Sequence, residues 1–157
     1  APAIAGLEVK DLRRFNDDGG NFTELGRLTG AMHADFPGFE VRQINYSEME
    51  PGAIKAFHLH RRQTDVWFVP PGDKMLVILL DVRAGSKSQG AQRRIVLGDG
   101  HPRLLRIPPG IAHGYKVIGT EPALLVYMTD RFYDPADEGR IAYNDGGINY
   151  DWETQHK

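Results

Sequence analysis

Three histidines and one aspartate stand at spacings that could build a polar site. His58 and His60 alternate on a short apolar segment, Asp65 follows five residues later, and His113 ends the later run P-P-G-I-A-H. Side chains at i and i+2 of an extended strand point to the same face, about 7 Å apart. Imidazole and carboxylate groups serve as general acids and bases or as ligands of divalent metal ions. The pattern predicts that these four side chains meet inside a β-rich fold.

Short β-branched segments separated by glycine and proline would have to position this site. Many short strands with turn signals between them indicate a β-sandwich or small barrel. The segment 23–34 could instead contain a short helix, although Gly26 and Gly30 disfavour it. We expect one domain over 1–157, ending in a short tail of loop or helix. The candidate strands are 7–15, 39–47, 53–60, 64–69, 75–83, 92–97, 104–107, 114–117 and 123–129.

Composition narrows the classes of function. The 157 residues carry a formal net charge of −2 and no basic tract, which argues against nucleic acid as a partner. No apolar run reaches the length of a membrane span, and we read no signal peptide. The sequence has no cysteine, so disulfides and thiolate chemistry are excluded. We therefore expect a cytoplasmic protein without a membrane or nucleic-acid partner.

The other histidines and one tyrosine have weaker context. His33, His101 and His156 lie outside the pattern, and we expect them at the surface. Tyr127 lies on an alternating strand, where its phenol could either pack in the core or point into a lumen.

The spacing of the three histidines and Asp65 resembles two cupin motifs. Gly52-x5-His58-x-His60-x4-Asp65-x6-Gly72 resembles the first, with Asp where Glu is usual, and P-x-G-x2-H ending at His113 resembles the second. From residue 15 to 152 the chain also resembles the dTDP-4-dehydrorhamnose 3,5-epimerase family in order and spacing. The segments that carry this resemblance are D-D-G-G-N-F-T-E at 17–24, Q-I-N-Y-S at 43–47, K-A-F-H-L-H at 55–60, L-R-I-P-P-G-I-A-H-G at 105–114, Tyr127 with Tyr133, and E-G-R-I-A-Y-N-D at 138–145 with Ile148 and Trp152.

The resemblance implies a cupin jelly-roll homodimer that acts on nucleotide-linked 4-keto-6-deoxy sugars without a cofactor, and dTDP is the nucleotide that we expect. His58 takes the place of the general base and Tyr127 that of the acid, one on each face of the inverted carbon. We expect Glu24, near the partner's site, and the remaining candidates to contact substrate. Those candidates are Gln43, Asn45, Lys55, His60, Arg106, His113 and Tyr133. Lys55 and His58 are three residues apart, so on a regular strand their side chains would point to opposite faces. For both to face the site, a bulge or a strand boundary must lie between them.

Three departures from the family pattern bear on the chemistry. Asp65 replaces a lysine that steadies enolate charge, and Gly19 replaces an arginine that contacts the diphosphate. The C-terminal S-x-K-D segment, whose aspartate orients the catalytic histidine, is missing. We expect Asp65 to substitute for that aspartate by hydrogen-bonding His58 or His60.

Two other functions stay open on the residues alone. His58, His60, Asp65 and His113 could together hold a divalent metal ion, as in a metal-dependent cupin. The chain could also be a non-catalytic sugar-binding relative. The epimerase reading is favoured because Tyr127 and the tail keep the epimerase pattern, which a metal cupin does not need.

Overall fold

Two five-stranded antiparallel sheets make up the body of the computed structural model, which describes residues 3–153. The first sheet has the order β1 (Glu8–Asp11), β11 (Arg103–Ile107), β8 (Asp65–Phe68), β13 (Ala123–Thr129), β6 (Gln43–Met49). The second has the order β10 (Gln92–Gly98), β9 (Lys74–Asp81), β12 (Ile111–Val117), β7 (Ile54–His60), β14 (Glu138–Arg140). Two small hairpins, β2 (Arg14–Asp17) with β3 (Gly20–Thr23) and β4 (Leu28–Thr29) with β5 (Met32–His33), complete the strands.

The main core lies between the two sheets. Inward positions alternate along β9, β11, β12 and β13, so the odd-numbered residues of β11 and β13 face those of β9 and β12 across the lumen. Side chains at one end of this lumen are aliphatic, including Val77, Leu79 and Leu105. Burial of these side chains provides most of the free energy that holds the sheets together. The expected all-β jelly-roll barrel is confirmed.

The outer faces of both sheets are also covered. Phe36 and Phe39 from the N-terminal part pack on Val66 and Leu104 of the first sheet. Trp152 from the tail packs on Phe57 of the second sheet, with ring centroids 5.6 Å apart. Each sheet is therefore packed on both its inner and its outer face, which explains why strands β8 and β9 are buried on both sides.

Several expectations at the edges of the fold need correction. The segment 23–34 forms β4 and β5 and no helix, because its glycines favour turns. His33 is 1% exposed, so the surface assignment was wrong: its ring nitrogens contact the carbonyl of Leu25 and the amide of Asp35. His101 is exposed as expected, and His156 lies outside the described residues. The tail contains a 3-10 helix, Pro135–Asp137, followed by β14.

A β-bulge separates Lys55 from His58, as their parity required. Strand β12 pairs His113 with His58 and Tyr115 with Lys55, so Ala56 and Phe57 of β7 oppose the single residue Gly114 of β12. Gly114 lies at this point, and a Cβ there would come within 2.3 Å of the Ala56 side chain. The close approach of the two strands therefore depends on a residue without a side chain.

No helix in the part of the chain that the structure describes is long and apolar enough to cross a membrane.

Candidate functional site

One cavity of about 210 Å³ opens between the two sheets, lined by strands β6, β8 and β13 of the first sheet and by β7, β12 and β14 of the second. Nine of the eleven candidate residues line it, including the three histidines His58, His60 and His113 and the carboxylate of Asp65. The lining residues are Gln43, Asn45, Ser47, Lys55, His58, His60, Gln63, Asp65, Trp67, His113, Tyr115, Leu125, Tyr127, Tyr133 and Glu138. The convergence of the three histidines and Asp65 in the lumen is confirmed.

The carboxylate that contacts His58 is Glu138. His58 Nδ1 lies 3.0 Å from Glu138 Oε1. The hydrogen bond with His58, helped by the charge of Arg140, lowers the pKa of Glu138. A carboxylate only accepts, so His58 donates through Nδ1–H and leaves Nε2 as its basic atom.

The tail places Glu138 beside His58 through backbone contacts. Strand β14 pairs with β7, with Glu138 opposite His60 and Arg140 opposite His58. Just before it, the buried carboxylate of Asp137 accepts hydrogen bonds from the backbone N–H groups of residues 61, 62 and 63. Asp134 caps the 3-10 helix that carries Asp137. These bonds fix the tail strand against the loop that follows His60.

His60, Asp65 and His113 form a second, more buried group. One ligating atom of each lies within 4.8 Å of those of the other two. The Asp65 oxygens accept hydrogen bonds from Gln63 Nε2 at 2.8 Å and Trp67 Nε1 at 3.1 Å. Burial lowers the pKa of His113 to about 4, against the opposing charge of Asp65. His113 is therefore a neutral imidazole at neutral pH.

These contacts correct two expectations about Asp65. Glu138, and not Asp65, contacts His58, and the Asp65 oxygens accept hydrogen bonds from Gln63 and Trp67. The proposed four-residue metal set also loses a member, because the close cluster contains His60, Asp65 and His113 without His58.

Tyr127 reaches the cavity from the opposite wall. It lies on β13 of the first sheet, whereas His58 lies on β7 of the second. Burial, and then the charges of Asp65 and Glu138, raise the pKa of Tyr127, while a hydrogen bond with Asn45 lowers it. The phenol therefore keeps its proton at neutral pH and is available as a donor.

Polar and aromatic groups surround the mouth of the cavity. Gln43 donates to Asn45 Oδ1 at 3.0 Å and accepts from the backbone N–H of Tyr133 at 2.9 Å. Tyr133 itself is 69% exposed, at the rim. Lys55 is also solvent-exposed where it borders the cavity.

Two candidates lie away from this cavity. Arg106 sits on the outer face of β11, because Leu105 and Ile107 take the inward positions, and it pairs with Glu8 at 2.9 Å. Glu24 is exposed and pairs with Arg27 at 2.7 Å. Within one chain, neither side chain can contact a ligand in the cavity.

Six lining residues were absent from the sequence prediction. Strand parity could have identified four of them: Trp67 from Asp65, Tyr115 from His113, Ser47 from Asn45, and Leu125 from Tyr127. Gln63 precedes its strand, and Glu138 belongs to a three-residue strand without a pattern of its own. The sequence carried no local signal for Gln63, whereas Glu138 begins the family-like segment E-G-R-I-A-Y-N-D, which did not identify it as the partner of His58.

Comparisons with known sequences cover the whole chain. A family model described as dTDP-4-dehydrorhamnose 3,5-epimerase matches residues 1–157. The spore coat polysaccharide biosynthesis protein SpsL of Bacillus subtilis is 40% identical, over 98% of this chain and 99% of that protein. The probable low-salt glycan biosynthesis epimerase Agl13 of Haloferax volcanii is 35% identical, over 98% and 97% of the two chains.

Solved structures share the fold. A dTDP sugar isomerase from Desulfovibrio desulfuricans is 29% identical and superposes with a TM-score of 0.84, covering 95% of this chain and 92% of that one. The dTDP-6-deoxy-D-glucose-3,5-epimerase RmlC of Legionella pneumophila is 23% identical, with a TM-score of 0.83 over 99% of this chain and 83% of that one.

Proposed function

The chain belongs to the dTDP-4-dehydrorhamnose 3,5-epimerase family, and on that premise we propose that His58 and Tyr127 invert a carbon beside the ketone of a dTDP-linked 4-keto-6-deoxy sugar. The observation that carries the proposal is their placement. His58 and Tyr127 line one cavity from opposite sheets. A carbon is inverted when a proton leaves one face and another arrives at the other, so groups on opposite walls suit the reaction.

The proposed chemistry needs two proton transfers and no redox step. His58 Nε2 takes the proton on the carbon next to the ketone, and the C–H electrons form an enolate with the carbonyl. The Tyr127 hydroxyl then gives its proton to the opposite face, and the ketone re-forms. Imidazolium and phenolate return to their starting states by exchange with water. Protein groups supply both transfers, so no cofactor is required for them.

The size of the cavity bears on the substrate. Pockets that enclose a drug-sized ligand measure about 300–1,000 Å³, whereas this cavity measures about 210 Å³. We propose that the sugar ring enters it while the nucleotide stays outside, near the exposed ring of Tyr133. Relatives at 40% and 35% identity bear names from polysaccharide and glycan biosynthesis, which supports a sugar destined for a polymer. A cytoplasmic location, expected from the sequence, is part of the proposal.

Isotope exchange tests this function. The protein is incubated in D₂O with dTDP-4-keto-6-deoxyglucose, and proton NMR follows the signals at C3 and C5. We expect deuterium to enter at one or both carbons, together with a product of inverted configuration. A protein that binds the sugar nucleotide without exchanging either proton is a binding relative, and the proposal then fails.

Glu138 acts as a positioning residue for the base. Glu138→Gln is expected to lower kcat by about tenfold, because the amide can present its N–H to His58 and favour the wrong tautomer. Initial rates at saturating and at low substrate separate this effect on kcat from any effect on KM.

Two controls separate positioning from folding. Glu138→Asp keeps the carboxylate and should recover part of the rate, while Glu121→Gln, at an exposed position, should behave as wild type. A wild-type kcat in Glu138→Gln, or no recovery in Glu138→Asp, would show that Glu138 does not position the base.

We also propose a homodimer that pairs through the first sheet. Its edge strand β6 lines the cavity with one face and leaves Ile44 and Tyr46 each 63% exposed on the other. Phe22, on the β2–β3 hairpin, is also 65% exposed. Exposed apolar side chains on an edge strand favour pairing with another chain. In such a dimer, Glu24 is the residue we expect to approach the partner's cavity.

Light scattering at micromolar concentration tests the dimer. We expect twice the 17.6-kDa mass of the chain, and the monomer mass for Ile44→Arg. The matched control is Val82→Arg, which places the same charge at a 38%-exposed apolar position at the end of β9. A wild-type monomer, or equal dissociation of both variants, would contradict the proposed interface.

A further inference from the structure

We propose that His60, Asp65 and His113 form a binding site for a divalent transition-metal ion of the zinc, cobalt or nickel type. The inference goes beyond the proposed function, since the two proton transfers use His58 and Tyr127. It rests on donor spacing, on the groups that hold the donors, and on one buried nitrogen without a partner.

The spacing of the donor atoms suits a single ion. Zinc binds histidine nitrogen and carboxylate oxygen at about 2.0–2.2 Å, so two donors on one ion lie about 3–4 Å apart. The three donors here already lie within 4.8 Å of one another. The imidazoles of His60 and His113 are nearly parallel, with centroids 5.8 Å apart. Small side-chain rotations bring all three donors onto one ion.

The contacts behind the donors resemble the support of a metal site. The His113 Nδ1–H donates to the Ile111 carbonyl at 2.9 Å, which leaves Nε2 unprotonated and free to bind. Gln63 and Trp67 each donate to one oxygen of Asp65, leaving further lone pairs on that carboxylate. Metal-binding histidines and carboxylates are oriented in this way by hydrogen bonds from behind.

His60 supplies the independent observation. Its Nδ1 atom is buried and finds no hydrogen-bond partner among residues 3–153. A buried polar atom without a partner is destabilising, because it has given up its hydrogen bonds to water. A metal ion bound through Nδ1, together with Asp65 and His113, would give this nitrogen the partner that it lacks.

The chemistry of the three donors selects the class of ion. Two imidazoles and one carboxylate suit borderline divalent ions, whereas magnesium and calcium prefer oxygen ligands alone. Three protein ligands leave at least one coordination position open, and all three residues line the cavity. His58 does not join the set, because the donor atoms that lie close to one another belong to His60, Asp65 and His113.

Calorimetry and cobalt spectroscopy test the site without reference to activity. Protein purified without a metal-affinity tag is stripped with chelator, dialysed, and titrated with zinc chloride and with cobalt chloride. We expect one ion per chain with a dissociation constant in the micromolar range or below, and visible cobalt bands of a four- or five-coordinate ion. Asp65→Asn should weaken binding by about 10²-fold, since it removes a charged ligand of the ion.

Matched variants make the result decisive. His58→Gln and His101→Gln remove a histidine outside the trio and should leave the affinity unchanged, while His60→Gln should weaken it as Asp65→Asn does. Absence of stoichiometric binding, or equal affinity in wild type and Asp65→Asn, overturns the proposal. So does a loss in His58→Gln as large as that in His60→Gln. Because the readout is binding, this site and the epimerase reaction can each fail without the other.

Discussion

His58→Ala is expected to slow solvent exchange of the proton beside the ketone by about 10²–10⁴-fold. The imidazole is the group that the structure orients through Glu138 while keeping one nitrogen free. Alanine removes that nitrogen and leaves a space that water can enter. The rate of deuterium incorporation at C3 and C5, followed by NMR, measures the effect directly, and it separates proton removal from completed inversion.

His101→Ala is the control, because this exposed histidine lies outside the cavity. Thermal unfolding of both variants should match wild type within a few degrees, since His58 is 32% exposed and its loss opens no large void in the core. Exchange at the wild-type rate in His58→Ala would place the base elsewhere.

The second large effect concerns Tyr127. Tyr127→Phe is expected to reduce formation of the inverted product by about 10²-fold, while deuterium exchange falls much less, because the base remains. The intermediate can still be formed, but it is reprotonated mainly from the face it came from. The same NMR assay gives the ratio of exchanged substrate to inverted product, and this ratio should rise sharply in the variant.

Tyr115 provides a matched control for that experiment. It lines the same cavity, and burial raises its pKa to about 12, so it is a weaker acid than a tyrosine in water. Tyr115→Phe should keep the wild-type ratio of exchange to inversion. If the two variants behave alike, the acid is not Tyr127 alone.

Most of the confirmed predictions came from the alternation of side chains between the two faces of a strand. The segment 53–60 is extended as expected, and its even positions His58 and His60 reach the lumen. Lys55 and His58 could both face the cavity only if a bulge lay between them, and the pairing of β7 with β12 contains one. A period of two residues is a local property, so the sequence alone reveals it.

Contacts between distant segments were beyond the sequence. Glu138 contacts His58 from 80 residues away, on a strand too short to show alternation. We expected Asp65 to hydrogen-bond a histidine, but its two oxygens accept hydrogen bonds from the Gln63 amide and the Trp67 indole instead. His33 looked like a surface residue because the N-terminal layer that buries it has no clear periodicity. Each of these depends on packing between elements, which no window of neighbouring residues contains.

The hydrogen bonds between the Asp137 carboxylate and the backbone of residues 61–63 also affect the order in which the site forms during synthesis. The ribosome releases the chain from its N-terminus, so β7 and His58 emerge well before Asp137 and Glu138. Until residue 138 has been synthesised, His58 lacks the carboxylate that orients its imidazole. The orientation of His58 therefore depends on a residue that is added 80 positions after it.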